Sequence, residues 1–301
     1  INYEEINDFK SRMLNVNHTI QKGMSSNEDI YFQTVEARNT AYQRMPEIVA
    51  ALMEKANEIT HTNIKPFNYY GEDDAKNIII AMGSVVDTIK LVVEEENKKG
   101  AKLGVVEVHL YRPFSSEYLK NVIPKTTEKI AVLDRTKEAG SSGEPLYLDV
   151  LAALKDSNVQ IVGGRYGLSS KNTTPTDIYS VFKMLENKEL KNNFTISIED
   201  DVTYLSLKKE EYTLNLDAKE ILIYGFGSDG MVSASKDLLS IASLKLDKPV
   251  DGYFEYDSKK SGGVTVSNLR IKNKEFSAPF YVTNPDLVVV TKDEYFEKFA
   301  M

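Results

Sequence analysis

Ile221-Leu222-Ile223-Tyr224-Gly225-Phe226-Gly227-Ser228-Asp229-Gly230 is the stretch on which the reading of this 301-residue chain turns. An apolar run of strand type enters a turn with three glycines, and a helical pattern follows from Met231 to Leu244. Strand, glycine-rich turn and helix together present backbone N–H groups and a helix N-terminus to an anion, most often phosphate. Further along, Gly252 to Asp257 reads as a strand, Ser258-Lys259-Lys260-Ser261-Gly262-Gly263 as a basic turn, and Val264 to Ile271 as a second strand. The paired lysines add positive charge to the same task.

Upstream, the pattern from Asn77 alternates strands and helices. Asn77 to Met82 is a short buried strand, Val85 to Lys98 an amphipathic helix, and Leu103 to Leu110 the next strand. Ser115 to Val122 reads as a helix and Lys129 to Leu133 as a strand. A further helix starts at Pro145, where a first-turn proline is favoured. Val159 to Val162 and Thr176 to Glu186 complete the series. Repeated β-α units predict a mostly parallel sheet with helices on both faces, whose ligands meet the loops after the strands. Residues 1–70 lack this rhythm. Glu4 to Leu14 reads as helix, Ser25 to Phe32 as loop, and Thr34 to Glu58 as helical spacing that Pro46 interrupts, as a break or as the first turn of a second helix.

Composition narrows the function. A net charge of -8 and a pI near 5.2 argue against general nucleic-acid binding. No apolar run reaches the roughly 18 residues of a membrane span, and the polar N-terminus is no signal peptide. The chain has no cysteine, which removes disulfides, thiolate metal sites and cysteine nucleophiles from it. His18, His61 and His109 are too scattered to form a metal site by spacing. A cytoplasmic protein is the expectation. The chain begins at Ile1 within a helical pattern and ends at Met301, just after Leu287 to Val290 and a short helix, Asp293 to Phe299. A piece of a longer polypeptide accounts for both ends.

Several loops after the predicted strands carry candidate chemistry. Gly83-Ser84 is an anion-friendly helix start or simply a cap. Tyr111-Arg112-Pro113-Phe114 and Asp134 to Gly140 read as a partner contact or packed turn, and as a solvated charged loop. Gly163 to Lys171, with Arg165, reads as a phosphate or subunit contact, or as a turn that glycine permits. Gly225, Gly227 and Gly230 form a literal G-x-G-x-x-G, yet Asp229 inside the turn opposes a pyrophosphate unless it hydrogen-bonds backbone or a ligand hydroxyl.

The longer motifs resemble one family. Asp29 to Gln33 with Glu36 to Asn39, Ala81-Met82-Gly83-Ser84, Leu110 to Phe114 and Leu133-Asp134-Arg135-Thr136-Lys137-Glu138 are similar to those of pyruvate:ferredoxin (flavodoxin) oxidoreductases. So are Gly164 to Leu168, Ile198 to Thr203, Gly227 to Gly230 and Tyr256 to Thr265. The order resembles the single-chain enzymes. It implies an α/β fold of two doubly wound, mostly parallel sheet domains after a mainly helical segment. Residues 1–70 would be the tail of the pyrimidine-binding domain and linker, and 71–198 a transketolase C-terminal-like domain II. Residues 199–301 would begin a gamma-type domain III, truncated here.

The resemblance also implies the chemistry. The whole enzyme would decarboxylate pyruvate on thiamine diphosphate with Mg2+, pass electrons through iron–sulfur clusters to ferredoxin or flavodoxin, and give the acetyl group to coenzyme A. None of the thiamine diphosphate, Mg2+ or clusters is expected on this stretch of chain, which would be inactive alone. Its expected partners are the remaining domains of the same polypeptide, a second copy in a homodimer, and the electron carrier. The role left to it is CoA binding. The resemblance carries that role onto Gly227, Ser228, Asp229, Gly230 and Lys236, and onto Lys259, Lys260, Asn268 and Arg270, the arginine as a fork for the 3′-phosphate. A purely scaffolding role and a stand-alone dinucleotide-binding protein are the alternatives.

Overall fold

In the computed structural model, which describes residues 1–17, 19, 25–257 and 263–299, the chain divides into Ile1–Met45 and Pro46–Met301. The first unit holds α1 (Tyr3–Ser11) and α2 (Tyr31–Ala37). Asn2 caps α1, its side chain accepting from the N–H of Glu4 at 3.1 Å. Neither helix buries a residue. Helix α3 (Asn39–Thr60) runs through Pro46 without ending. Neither the break nor the start of a second helix expected at the proline is seen, although proline removes one helical N–H.

The second unit begins its sheet earlier than expected. Strand β1 (Phe67–Gly71), inside the stretch read as helical, pairs antiparallel with β3 (Leu103–Val108). With β2 (Asn77–Ala81), β4 (Lys129–Asp134), β5 (Gln160–Arg165) and β6 (Phe194–Thr195) it forms a sheet of order β1-β3-β2-β4-β5-β6. Every pairing except β1 with β3 is parallel. The direction of build reverses at β2, so the topological switch point lies between β2 and β4.

Side-chain alternation explains why helices cover both faces. Ile79, Ala81, Ala131 and Leu133 point to the face covered by α4 (Val85–Lys98) and α7 (Pro175–Glu186). Ile78, Ile80, Ile130 and Val132 point to the face covered by α5 (Ser116–Val122) and α6 (Pro145–Ala153). All eight are at most 1% exposed, and each large apolar side chain so buried contributes about 1.5–3 kcal/mol. The sheet is doubly wound.

The second sheet has the order β10-β7-β9-β8, from β7 (Ala218–Phe226), β8 (Val250–Tyr256), β9 (Val264–Lys272) and β10 (Leu287–Val290). Strands β7, β8 and β10 run in one direction, and β9 runs against them between β7 and β8. The direct link from β8 into β9, residues 257–263, is too short for the dozen or more residues of a parallel crossover, so the pair is antiparallel. Helix α8 (Met231–Leu246) packs Leu239 on Ile221, Ile223 and Leu269 of one face. An irregular strap, residues 273–286, crosses the other face, and α9 (Glu294–Phe299) follows β10.

Candidate functional site: a glycine turn at the strand ends

Because β7, β8 and β10 share a direction, the loops after all three emerge at the same end of the second sheet. There the β7–α8 turn and the ends of β8 and β9 enclose a cavity of about 500 Å3. Phe226 to Gly230 with Val232 and Ser233 form one wall, and Tyr256, Asp257 and Gly263 to Thr265 the other. Gly230 has φ +87° and Ser228 φ +78°; these left-handed conformations turn the chain from strand into helix.

The carboxylate of Asp229 builds the turn from inside. Its Oδ2 accepts from the N–H of Phe226 at 2.7 Å and from the Thr291 hydroxyl at 3.0 Å, and its Oδ1 from the N–H of Met231 at 2.9 Å. Desolvation is the largest influence on its pKa and raises it. The bonds from Met231, Phe226 and Thr291 together outweigh that and hold it below the ordinary carboxylate value. These bonds turn its oxygens onto backbone and Thr291 and offset part of the charge with which the carboxylate opposes a phosphate. The Gly227 N–H is also spent, donating to the Gly263 carbonyl at 2.7 Å.

What remains for a ligand is a donor set. Val232 and Ser233 sit in the first turn of α8, where N–H groups have no helical partner, and the helix dipole favours an anion. Thr265, 8% exposed, lines the same cavity, and its buried Oγ1, beside Gly225, has no hydrogen-bond partner among the described residues. A buried hydroxyl left unpaired is costly and calls for a partner, whether a ligand, an ion or a water. Lys292 places its Nζ 3.7 Å over the ring of Phe226, beside the turn. Sequence reasoning missed Thr265, Thr291 and Lys292, because their approach depends on which strands are neighbours.

Of the predicted site residues, Gly227, Ser228, Asp229 and Gly230 come together in this cavity. Lys236 lies further along α8, exposed, its Nζ 5.4 Å from the Phe254 ring. Lys259 and Lys260, like His18, lie outside the described residues. Asn268 and Arg270 are not part of the site. Arg270 pairs with Glu220 while Phe226, at the turn, pairs with Val264, so Arg270 stands six residues along the ladder, roughly 20 Å away. It is 1% exposed, with Nε on Glu220 at 2.7 Å and Nη1 on the carbonyls of Ala278 and Phe280 at 3.0 and 2.6 Å. Asn268, 2% exposed, donates to Glu255 and accepts from the Val282 N–H. Both hold the strap in place instead of a phosphate.

The dinucleotide reading fails on topology. Such a site needs two adjacent parallel strands joined by the helix. Here α8 leads into β8, and antiparallel β9 separates β8 from β7.

The loops of the first sheet are mostly committed. Gly163, Gly164 and Arg165, expected in a turn, belong to β5. Arg165 pairs with Glu144 at 3.3 Å and donates to the Asn193 carbonyl at 2.7 Å. Asp134 accepts from Leu146 and Tyr147 N–H groups at the start of α6, and burial pushes its carboxyl above the ordinary value in spite of them. Arg135 donates to the Gly167 carbonyl at 2.8 Å, and Arg112 pairs with Asp149 at 2.7 Å. No group of three or more His, Asp or Glu among the described residues is placed to hold a metal. No helix among them is long and apolar enough to cross a membrane.

An α/β chain whose second sheet gathers a phosphate-type turn at its strand ends is the class defined by fold and site. Comparison with known proteins gives the family. Residues 75–178 match the family model for pyruvate:ferredoxin oxidoreductase core domain II, and residues 220–301 that for pyruvate ferredoxin/flavodoxin oxidoreductase. The chain is 42% identical over 298 residues to the pyruvate-flavodoxin oxidoreductase of Enterobacter agglomerans, covering 97% of this chain and 25% of that one. It is 41% identical over 305 residues to the pyruvate:ferredoxin oxidoreductase of Moorella thermoacetica, covering 100% of this chain and 26% of the relative. A pyruvate dehydrogenase [NADP(+)] of Cryptosporidium parvum is 39% identical over 306 residues, 16% of its length. The solved pyruvate oxidoreductase subunit PORC of Thermotoga maritima is 31% identical over 26% of this chain and 39% of its own, with a TM-score of 0.22. The chain belongs to the pyruvate:ferredoxin (flavodoxin) oxidoreductase family, and it spans about a quarter of the length of the bacterial relatives.

Proposed function

We propose that this chain supplies the coenzyme A site of an enzyme that oxidatively decarboxylates pyruvate to acetyl-CoA with ferredoxin or flavodoxin as acceptor. The observation that carries the reading is the unpaired buried hydroxyl of Thr265, a residue that lines the cavity at the α8 N-terminus. In this arrangement the N–H groups of Val232 and Ser233 and the Thr265 hydroxyl donate to phosphate oxygens of CoA. Lys292, with Lys259 and Lys260, supplies compensating charge. Asp229 holds the turn open in the required shape without offering a lone pair to the ligand.

In the whole enzyme, thiamine diphosphate with Mg2+ would activate the 2-oxo acid and iron–sulfur clusters would carry the electrons. This chain has no cysteine with which to ligate a cluster, and we assign it no step of the redox chemistry. Residues 1–70 would close the pyrimidine-binding domain, 71–198 form domain II, and 199–301 open domain III. Domain II would serve as scaffold and dimer contact, in a cytoplasmic protein.

Calorimetric titration of CoA, 3′-dephospho-CoA and NAD into the chain tests the reading. CoA is expected to bind and NAD not to. NAD binding in place of CoA would overturn it. In the full-length enzyme, Lys259→Ala with Lys260→Ala is expected to raise the KM for CoA, and an unchanged KM would remove those lysines from the site.

A further inference from the structure

The carboxyl ends of β5 and β6 open into a second cleft, of about 360 Å3, far along the chain from the glycine turn and unused by it. That volume is in the range of small-molecule sites, and the carboxyl ends of parallel strands are where α/β sheets bind ligands. Its walls are apolar, formed chiefly by Tyr166, Leu168, Ile196 and Leu205. Burial raises the Tyr166 phenol to about 12, so it stays neutral, and its hydroxyl faces the Met82 carbonyl.

Charge at the cleft is unbalanced. Lys137 and Lys171 both line it, and neither ammonium has an ion-pair or hydrogen-bond partner among the described residues. Arg165 also lines it but is committed to Glu144 and Asn193. The one carboxylate in the lining, Asp200, is turned onto the Thr203 hydroxyl and the N–H groups of Thr203 and Val202, which hold it well below the usual carboxylate range. Two free cations therefore face an apolar hollow whose only acid is already engaged.

The surrounding backbone is strained. Of eight non-glycine residues with positive φ among the described residues, five, Ser169, Ser170, Asn193, Ser197 and Tyr204, fall in the loops about this cleft. Left-handed conformations of this kind each cost about 1–3 kcal/mol and cluster at ligand clamps.

We infer that the cleft after β5 and β6 binds a small apolar monocarboxylic acid, with its chain against Leu168, Ile196 and Leu205 and its carboxylate at Lys137 and Lys171. The site is separate from the CoA cavity, and the two ligands are expected to bind independently.

Octanoate and its uncharged counterpart octanamide serve as probes, titrated by calorimetry into the chain and into the double variant Lys137→Ala, Lys171→Ala. Octanoate is expected to bind saturably, and octanamide about fivefold more weakly, the scale of exposed ion pairs. The double variant should reduce octanoate to the level of octanamide with an unchanged Tm, since both lysines are exposed. Leu205→Asp should abolish both. Equal binding of the two probes, indifference to the lysine changes, or no saturable binding at all would overturn the inference. The last result is what a cleft seating a protein segment would give.

Discussion

Arg270 donates from Nε to Glu220 Oε1 at 2.7 Å, directly across the β7–β9 ladder, with the arginine 1% exposed. Its Nη1 reaches the carbonyls of Ala278 and Phe280, its buried Nη2 has no hydrogen-bond partner among the described residues, and its guanidinium carbon stands 4.6 Å from the Phe280 ring. Two positions along the same strand, Lys272 donates to the Phe276 carbonyl at 2.6 Å, and Asn268 accepts from Val282. The strap 273–286 has no ladder of its own, so alternate residues of β9 satisfy its backbone instead.

Removing one partner of this buried pair strands the other charge, at a cost of about 3–5 kcal/mol. Arg270→Ala should therefore shift the urea midpoint strongly downward, and Arg270→Lys should not rescue it, because lysine lacks the planar fork. CoA affinity, measured under conditions where the variant is still folded, should fall little. A variant of full stability that has lost CoA would return Arg270 to the ligand.

Asp229 yields a pH dependence. Its folded pKa lies below the ordinary 3.8, so the stability it adds is complete above that value and is lost as pH falls through the folded one. Asp134 acts oppositely: its pKa is raised from 3.8, so its ionisation costs stability as pH rises through the higher folded value. Asp229→Asn should lower stability by about 1 kcal/mol at about pH 7, the scale of a lost helix cap, and less at about pH 2.5. Thermal melts of both proteins across that span check it, and a pH-independent difference would show that the charge of Asp229 is irrelevant.

How much of this was legible in the sequence depended on whether the cause was local. Helix α4 appears where the apolar period placed it, and α6 starts at Pro145 as first-turn proline predicts. The glycine turn also stands where its spacing put it. Gly163 and Gly164 misled, because they are glycines for packing and not for turning. A Cβ on Gly163 would lie 2.8 Å from the Tyr147 ring, and one on Gly164 would collide with Phe194. Arg270 misled for a related reason. A basic residue near a phosphate-type turn reads as a ligand until the register shows Glu220 opposite it, 50 residues earlier in the chain.

Thr265→Val separates a ligand hydroxyl from a structural one. The hydroxyl has no protein partner, so replacing it by a methyl of the same shape should leave Tm unchanged or raise it. If it donates to a phosphate, CoA affinity should fall by about 1 kcal/mol, roughly fivefold. Calorimetry and a melt on the same sample give both numbers. Lost stability with intact CoA binding would mean that Thr265 is paired inside the fold.

Lys292 comes to the turn only because β10 pairs in parallel with β7, bringing residue 292 beside Phe226. The cation–π contact is worth about 0.5–1 kcal/mol at a partly exposed position, so Lys292→Met should cost little stability. As the only described cation within reach of Phe226, it should instead govern the salt dependence of binding. CoA affinity of the wild type should weaken as ionic strength rises toward about 0.5 M, where exposed charges are screened. In Lys292→Met that slope should flatten, with weaker binding already at low salt. Parallel slopes for the two proteins would assign the charge compensation to other residues and leave Lys292 a packing side chain on Phe226.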